Sequence, residues 1–492
     1  MTLQEYLVRV CLQCITADVA NRSSVELVDR VSQLHRYALA ILHHFLSSRY
    51  ATSLSGLQLD GILIDRLLKS IGESDPYVQV LLLDVIYDVF KLQDMAPAEI
   101  PTSPMLEKTP PSLDRPRPSR QSISMSESRP IAPPMPPQLL KCLQAGLSAA
   151  SSHAVLDSWV AFLADCLPFY SQSIFQALIP LVETLCRQIG QVFASLRNMF
   201  KTEPQGESLN ESAPEATLIY LLNGLEQVLA LAHDQLLAAE SRAQIVKGPE
   251  QPQSLFGSMV SGVFKSDGPQ ARSATANDRL TVHLAFQDAM RICFRIWSWG
   301  EGDEAKTQDQ VSAASFTYTS LRMRNRARRL LEHLFAAETL ECLETVIDIW
   351  TSAESTGERA LVFSFLSALD ACRPRHSIPA LFNSIYSRTN PGALEPSRKS
   401  TMTISLQDSD LVAFLVEYAR SLDDDAMDEI WQDCMTFLKD LLGNPFPHRQ
   451  TLPSLLEFAA ILGEKVDNTT FGEQRRMRRE LGVRGVRTRL FV

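Results

Sequence analysis

Residues 320–352, SLRMRNRARRLLEHLFAAETLECLETVIDIWTS, are the stretch of this sequence that decides the fold. Apolar residues recur in it at helical spacing, and a short break divides it into two helices, 320–336 and 340–352. Further helices follow, mostly after short joins, at 358–371, 378–386, 411–422, 428–442 and 452–466. Helices of this length with short joins are typical of stacked helical hairpins.

The rest of the chain shows the same pattern of apolar stripes. One stripe runs from Ile174 to Leu196, and another runs from Leu218 to Leu236. A third is formed near the N-terminus by Leu27, Val31, Leu34, Ala38, Ile41 and Phe45. No segment shows the period-two alternation of a β-strand. We therefore predict an all-α chain, an irregular α-solenoid of stacked helices of the armadillo, HEAT or TPR kind with disordered linkers.

Changes of composition divide the chain into six parts. Residues 96–138 hold twelve of the 27 prolines, and because proline removes backbone donors we predict a disordered linker there. Residues 244–278 form a loose linker that contains an amphipathic segment. The predicted helical arrays and the basic C-terminal tail are 1–95, 139–243, 279–468 and 469–492.

Composition and motifs argue against several functional classes. The formal net charge of −10 disfavours nucleic-acid binding, and no window approaches the roughly 18 apolar residues of a membrane span. The nine cysteines show no disulfide framework, and the lone CxxC at Cys11 and Cys14 lacks the further ligands that zinc needs. No phosphate-binding, nucleophile or zinc-protease motif occurs. We expect a cytosolic protein that is not an enzyme and holds no cofactor or metal.

A basic face on the 320–336 helix is one candidate contact site. Arg322, Arg326 and Arg329 share this face at about 100° per residue. The face suits anionic lipid head groups or an acidic partner. The alternative, which we favour, is an internal network with acids of the following helix, namely Glu338, Glu341 and Glu344.

An amphipathic segment at 254–265 is the second candidate contact site. A helix would gather on one face the residues Leu255, Phe256, Met259, Val260, Val263 and Phe264. Only glycine and serine lie between them, so the polar face is weak. Such a helix either inserts into loosely packed membranes or docks into a groove of a partner or of the solenoid itself. We favour docking.

Three stretches carry a resemblance to a known family. They are SFTYTSLRMRNRARRLL at 315–331 with the helix at 341–350, FGEQRRMRREL at 471–481, and SLFGSMVSGVF at 254–264. All three resemble the middle helical region of Dopey proteins. The family's characteristic N-terminal domain is not recognised, and the tail 482–492 has no helical stripe. We therefore expect a fragment or a truncated gene model.

The resemblance implies a role in membrane traffic. Dopey proteins are large peripheral proteins that act between endosomes and the late Golgi. The resemblance implies a scaffold or adaptor in that transport and in Golgi organisation, placed in the cytoplasm on Golgi and endosome membranes. It implies two partners, a scaffold related to Arf exchange factors and a phospholipid-flipping P-type ATPase. The alternative is a generic α-solenoid subunit that binds proteins in another cytosolic complex.

Overall fold

The computed structural model describes residues 2–17, 25–73, 75–95, 135–201, 214–246, 274–300 and 310–468. These residues form sixteen α-helices and short 3₁₀ turns, and no β-strand occurs among them. The all-α prediction is therefore confirmed. No helix in the described part of the chain is long and apolar enough to cross a membrane.

The first of two compact units spans Met1–Ile174. Its helices are α1 Leu3–Thr16, α2 Val25–Leu46, α3 Asp60–Ser70, α4 Pro76–Met95, α5 Pro137–Ser148 and α6 Leu156–Cys166. Helix α4 is central, because it packs against α2, α3 and α6. The Asp75 carboxylate accepts the Tyr77 N–H at 3.1 Å, and Arg36 holds that carboxylate with two hydrogen bonds of 2.7 and 2.8 Å.

The buried face of α2 differs from the stripe predicted for it. Leu34 and Ile41 are 49% and 46% exposed. Among the described side chains of the helix, the buried ones are His35, Ala38, Leu39, Leu42 and Leu46, of which only Ala38 belongs to the predicted stripe. Both sets recur at spacings of three and four, so periodicity alone does not choose between them. The neighbouring helices determine which face is buried, because α2 packs against α1 and α4.

A tryptophan fixes the packing of α5 on α6 in the first unit. Trp159 is fully buried, and its indole N–H donates to Oε1 of Gln79 at 3.0 Å. The same oxygen accepts the hydroxyl of Ser152 at 2.9 Å. Gly146 lies directly against the ring, because a Cβ at that position would be 2.3 Å from two ring carbons. Only glycine fits this close approach without a shift.

The second unit spans Phe175–Val492. Its helices are α7 Ile174–Lys201, α8 Pro214–Val246, α9 Ala274–Trp297, α10 Gln310–Ala337, α11 Thr339–Thr351, α12 Thr356–Ala368, α13 Pro374–Thr389, α14 Asp408–Ser421, α15 Met427–Gly443 and α16 Leu452–Asn468. Helices close in sequence pack together, as in α8 with α9, α9 with α10 and α11, α13 with α14 and α15, and α14 with α16. Such local, sequential packing is typical of an α-solenoid.

The stripe predicted in α7 forms part of the core. Its buried residues are Ile174, Leu178, Val182, Leu185, Ile189, Phe193 and Leu196. The join between α13 and α14 is shorter than the gap between the predicted helices 378–386 and 411–422, because both helices extend further than predicted. It runs from 390 to 407 and contains two 3₁₀ turns, Pro391–Ala393 and Pro396–Arg398. Most of the two predicted linkers and all of the 469–492 tail lie outside the described residues.

Candidate functional site

The arginines of the predicted basic face contact α8. Arg326 is mostly buried, and its guanidinium pairs with Glu226 and donates to Oδ1 of Asn223 at 2.9 Å. Arg322 lies 3.3 Å from Oε2 of Glu215. Arg329 is exposed and forms no ion pair with any residue that the structure describes. Two of the three arginines are therefore engaged within the chain.

The acids that the sequence suggested as partners of these arginines are occupied elsewhere. Glu338 and Glu341 flank His283, and Glu344 pairs with Arg388. An internal network exists, as favoured from the sequence, but its acids come from α8 and not from α11. The reason is that α10 packs along α8, so α8 presents its acids to the arginine face.

The amphipathic segment 254–265 lies outside the described residues. The structure therefore places none of the second candidate set, which consists of Leu255, Phe256, Met259, Val260, Val263 and Phe264. Both uses of this segment stay predictions.

A buried group of charges, here called the polar centre, links α9, α11 and α13. It consists of His283, Glu338, Glu341, Glu344 and Arg388. His283 has no exposed surface, and its Nε2 lies 3.5 Å from Oε1 of Glu338 while its Nδ1 lies 3.3 Å from Oε1 of Glu341. Arg388 Nη1 lies 2.7 Å from Oε1 of the fully buried Glu344. Buried charges are tolerated when they are paired in this way.

Three groups of the polar centre, His283, Glu338 and Glu341, keep their charges at neutral pH. Burial lowers the pKa of His283, but the carboxylates of Glu338 and Glu341 raise it, with a net pKa of about 9. Burial raises the pKa of Glu338, but His233 and His283 lower it to about 2. The pKa of Glu341 is also lowered, because contacts with His283 and Thr401 outweigh its burial. His283 is thus cationic between two anionic carboxylates.

The polar centre holds the 390–407 segment in place. The backbone N–H of Thr401 donates to Oε1 of Glu341 at 2.7 Å. Arg388 Nε donates to the carbonyl of Leu406 at 3.0 Å. These bonds satisfy backbone groups that no helix or strand satisfies. The polar centre therefore acts as an anchor for a long loop, with its groups buried and neutralised by one another.

An open groove runs beside α12, and we call it the α12 groove. Its two parts hold about 670 and 660 Å³, and they share Ala360, Phe363 and Ser421. The first part is bordered by α11, α12, α14 and α16. The second part continues past the end of α12 to the carboxylates of Asp423 and Asp425.

Aromatic rings form the floor of the α12 groove. The ring of Phe363 lies 5.5 Å from that of Phe414 and 6.2 Å from that of Tyr418, between centroids. The ring of Trp350 lies 5.4 Å from that of Phe414. Concave surfaces with aromatic floors are typical binding sites. This groove was not predicted, because its walls come from four helices, α11, α12, α14 and α16, that only the fold brings together.

The cysteines are poor candidates for chemistry. Burial raises the pKa of Cys142 and of Cys293 to about 12, and it also raises the pKa of Cys11 in the CxxC pair. The thiolate is the nucleophile and the metal ligand, and these thiols stay protonated at neutral pH. Among the described residues, no group of three or more His, Cys, Asp or Glu side chains is placed to hold a metal ion.

Comparison with solved structures finds a circular tandem repeat protein with a novel repeat topology. It is 12% identical, and the similarity covers 99% of this chain and 95% of that chain, with a TM-score of 0.21. A score this low defines no common fold. The fold class rests on the helices themselves.

Comparison with protein families gives two matches. A DOP1 TPR domain matches residues 60–237, and a DOP1 C-terminal region matches residues 414–488. The first match covers α3 to α8 in part, and the second covers α14 to α16 in part.

Two curated relatives agree with these matches. Protein dop1 of Emericella nidulans is 48% identical over 460 residues, which cover 92% of this chain and 24% of the relative. Protein DOP1 of Saccharomyces cerevisiae is 27% identical over 354 residues, which cover 69% of this chain and 20% of the relative. The chain thus spans about a quarter or less of the length of these relatives. The chain belongs to the Dop1 family, the Dopey proteins.

Proposed function

We propose that the chain is a non-enzymatic scaffold segment in vesicular protein transport between endosomes and the late Golgi, and in Golgi organisation. The observation that carries the proposal is the family relationship, with 48% identity to the Emericella nidulans protein over 92% of the chain. In this role the helices present surfaces to partner proteins and perform no chemistry.

Two features of the described residues support a binding role. The α12 groove is open and has an aromatic floor, as a site for a protein segment requires. The charged groups of the polar centre are paired and buried, so they are unavailable as acids, bases or nucleophiles. An open groove, together with buried and mutually paired charges, suits a scaffold better than a catalyst.

The proposal includes a location and two kinds of partner. We place the protein in the cytoplasm, bound peripherally to Golgi and endosome membranes. Its proposed partners are a scaffold related to Arf exchange factors and a phospholipid-flipping P-type ATPase. Both follow from what is known of Dopey proteins, and the segment at 254–265 is a candidate for direct membrane contact.

Fluorescence microscopy of the tagged chain in yeast cells tests the location. Markers for the late Golgi, the endosome and the nuclear envelope provide the comparison. We expect puncta that coincide with the first two markers. A diffuse signal, or enrichment at the nuclear envelope, would favour a solenoid subunit of another complex and count against the proposal.

Flotation with small, loosely packed liposomes tests direct membrane contact. Wild type is compared with a Phe256→Glu and Phe264→Glu double variant, which places two charges on the apolar face of the 254–265 segment. Loss of flotation in the variant alone supports membrane insertion. Equal flotation of both proteins, or none by wild type, removes that hypothesis and leaves docking.

A further inference from the structure

The α12 groove is open because small side chains line its walls. They come from α12, α14 and α16 and are Ala360, Ser364, Ala413, Ser421 and Ser454. Large side chains at these positions would close the groove. Along α12, residues 360, 364 and 367 recur at helical spacing, so one whole face of that helix borders the open space.

The floor of the groove offers apolar contact. Phe363 is half-buried, with rings of Phe414 and Tyr418 beside it. Trp350 is only 7% exposed, and its ring centroid lies 5.4 Å from that of Phe414. The floor thus suits bulky apolar side chains.

The two ends of the groove differ in charge. At the end near the start of α12, Arg359 lies over the ring of Trp350 at 5.2 Å, and Arg420 pairs with Glu417 and Glu457, so the charges there balance. At the other end Arg373 pairs with Asp370, while Asp423, Asp425 and Glu429 form no ion pair with described residues. Three unpaired negative charges at one end select a ligand that is basic at the corresponding end.

We propose that the α12 groove binds an amphipathic α-helix of a partner protein, with its basic end at Asp423, Asp425 and Glu429. A helix is the occupant that fits a long groove bordered by helix faces, since the apolar residues of one helix stripe fill it at intervals of three and four. The carboxylates repel nucleic acid and anionic lipid head groups. The inference deepens the proposed scaffold function, because it gives the chemistry of a partner.

Fluorescence anisotropy with a synthetic peptide tests this inference on the full 492-residue chain. The probe is a labelled helical peptide with leucine at every third or fourth position and three lysines at its C-terminal end. The matched probe carries three glutamates there. We expect the lysine peptide to bind about tenfold more tightly, since three exposed ion pairs each contribute a small factor. Equal affinity for both peptides, or no binding up to about 1 mM, overturns the inference.

Two variants locate the binding. Ala360→Trp fills the groove from an exposed position and is expected to abolish binding, while Ala238→Trp on the exposed face of α8 is the control and is expected to leave it unchanged. Replacing Asp423, Asp425 and Glu429 by their amides is expected to remove the preference for lysine. Circular dichroism checks that each variant is folded.

The outcomes separate this inference from the proposed function. Peptide binding is measured with the purified chain, so its result does not depend on cellular location. If the peptide binds but the tagged chain is not found at the late Golgi or endosome, only the transport role is overturned. Unchanged peptide binding by Ala360→Trp overturns the inference that the peptide binds in the α12 groove. Sedimentation that shows wild-type dimers and Ala360→Trp monomers would assign the groove to a second copy of the chain, and that result also overturns the inference.

Discussion

Gly146→Ala places one methyl group against a fully buried indole ring. A Cβ at this position would lie 2.3 Å from Cη2 and Cζ3 of Trp159 and 2.4 Å from Cζ2. Carbon atoms in contact are about 3.5–4.0 Å apart, so the ring or α5 has to move by more than about 1 Å. The ring is not free to move, because its N–H donates to Gln79 at 3.0 Å and no part of it is exposed.

The expected loss of stability follows from three contributions. Overpacking a filled core costs about 1–3 kcal/mol, and three clashing ring atoms place this site at the upper end. Displacing the ring weakens the hydrogen bond to Gln79, which contributes about 1 kcal/mol. Alanine in a helix is favoured over glycine by about 1 kcal/mol, which offsets part of the loss. The free energy of unfolding should fall by about 3 kcal/mol.

Urea denaturation measures the change, and hydrogen exchange of the α5 and α6 amides assigns it to the first unit. Gly190→Ala in α7 is the matched control, because its Cβ would meet only Ile292 Cδ1 at 3.7 Å. That variant should be unchanged or more stable by up to about 1 kcal/mol. Gly146→Ala should lower the free energy of unfolding much less in a protein in which Trp159 is replaced by Leu. If Gly146→Ala is as stable as the control, the packing described for α5 is refuted.

Three further predictions concern the helix contacts. Arg326→Ala should lower the free energy of unfolding by about 2 kcal/mol, because it removes a partly buried ion pair and leaves the Glu226 carboxylate with His333 alone. Arg329→Ala should change nothing measurable, and equal denaturation curves for the two variants would count against the α8 pairing. The free energy of unfolding should fall as the pH drops from 4.5 towards 2, where Glu338 becomes protonated. It should also fall as the pH rises from 6.5 through about 9, where His283 loses its proton. An alkaline loss of stability that persists in His283→Asn argues against the pairing of His283 with Glu338. Ser355 caps α12, because its Oγ accepts the Glu358 N–H at 3.1 Å. Ser355→Ala should therefore destabilise the start of α12 by about 1 kcal/mol, and unaltered hydrogen exchange in its first turn would exclude this cap.

Helix positions were largely predictable because each helix carries its own apolar stripe. The stripe from Ile174 to Leu196 lies in α7 as predicted, and Asp75 with Pro76 is a local signal for the start of α4. In α2 the pattern failed, since a second stripe through Leu39 and Leu42 competes with the one through Leu34. Tertiary neighbours decide such a case, and a single sequence does not show which helices become neighbours.

The pairing of charges was less predictable than the helices. Glu341 and Glu344 follow the arginine-rich helix directly, which made them natural partners in the sequence. Their real partners, His283 and Arg388, lie on α9 and α13. One signal was present, because both glutamates fall among the apolar residues of α11 and so point to a buried polar contact. Only the fold shows which residue is the partner in each contact.

Affinity purification of the chain from cells, followed by mass spectrometry, tests the central claim most directly. Wild type is compared with Ala360→Trp and with Ala238→Trp, which leaves the α12 groove open. If the chain acts in endosome–Golgi transport, purification of wild type and of Ala238→Trp should recover two partners. They are the scaffold related to Arf exchange factors and the P-type ATPase. Neither protein in the wild-type sample, or recovery of a different complex, would contradict the proposed role.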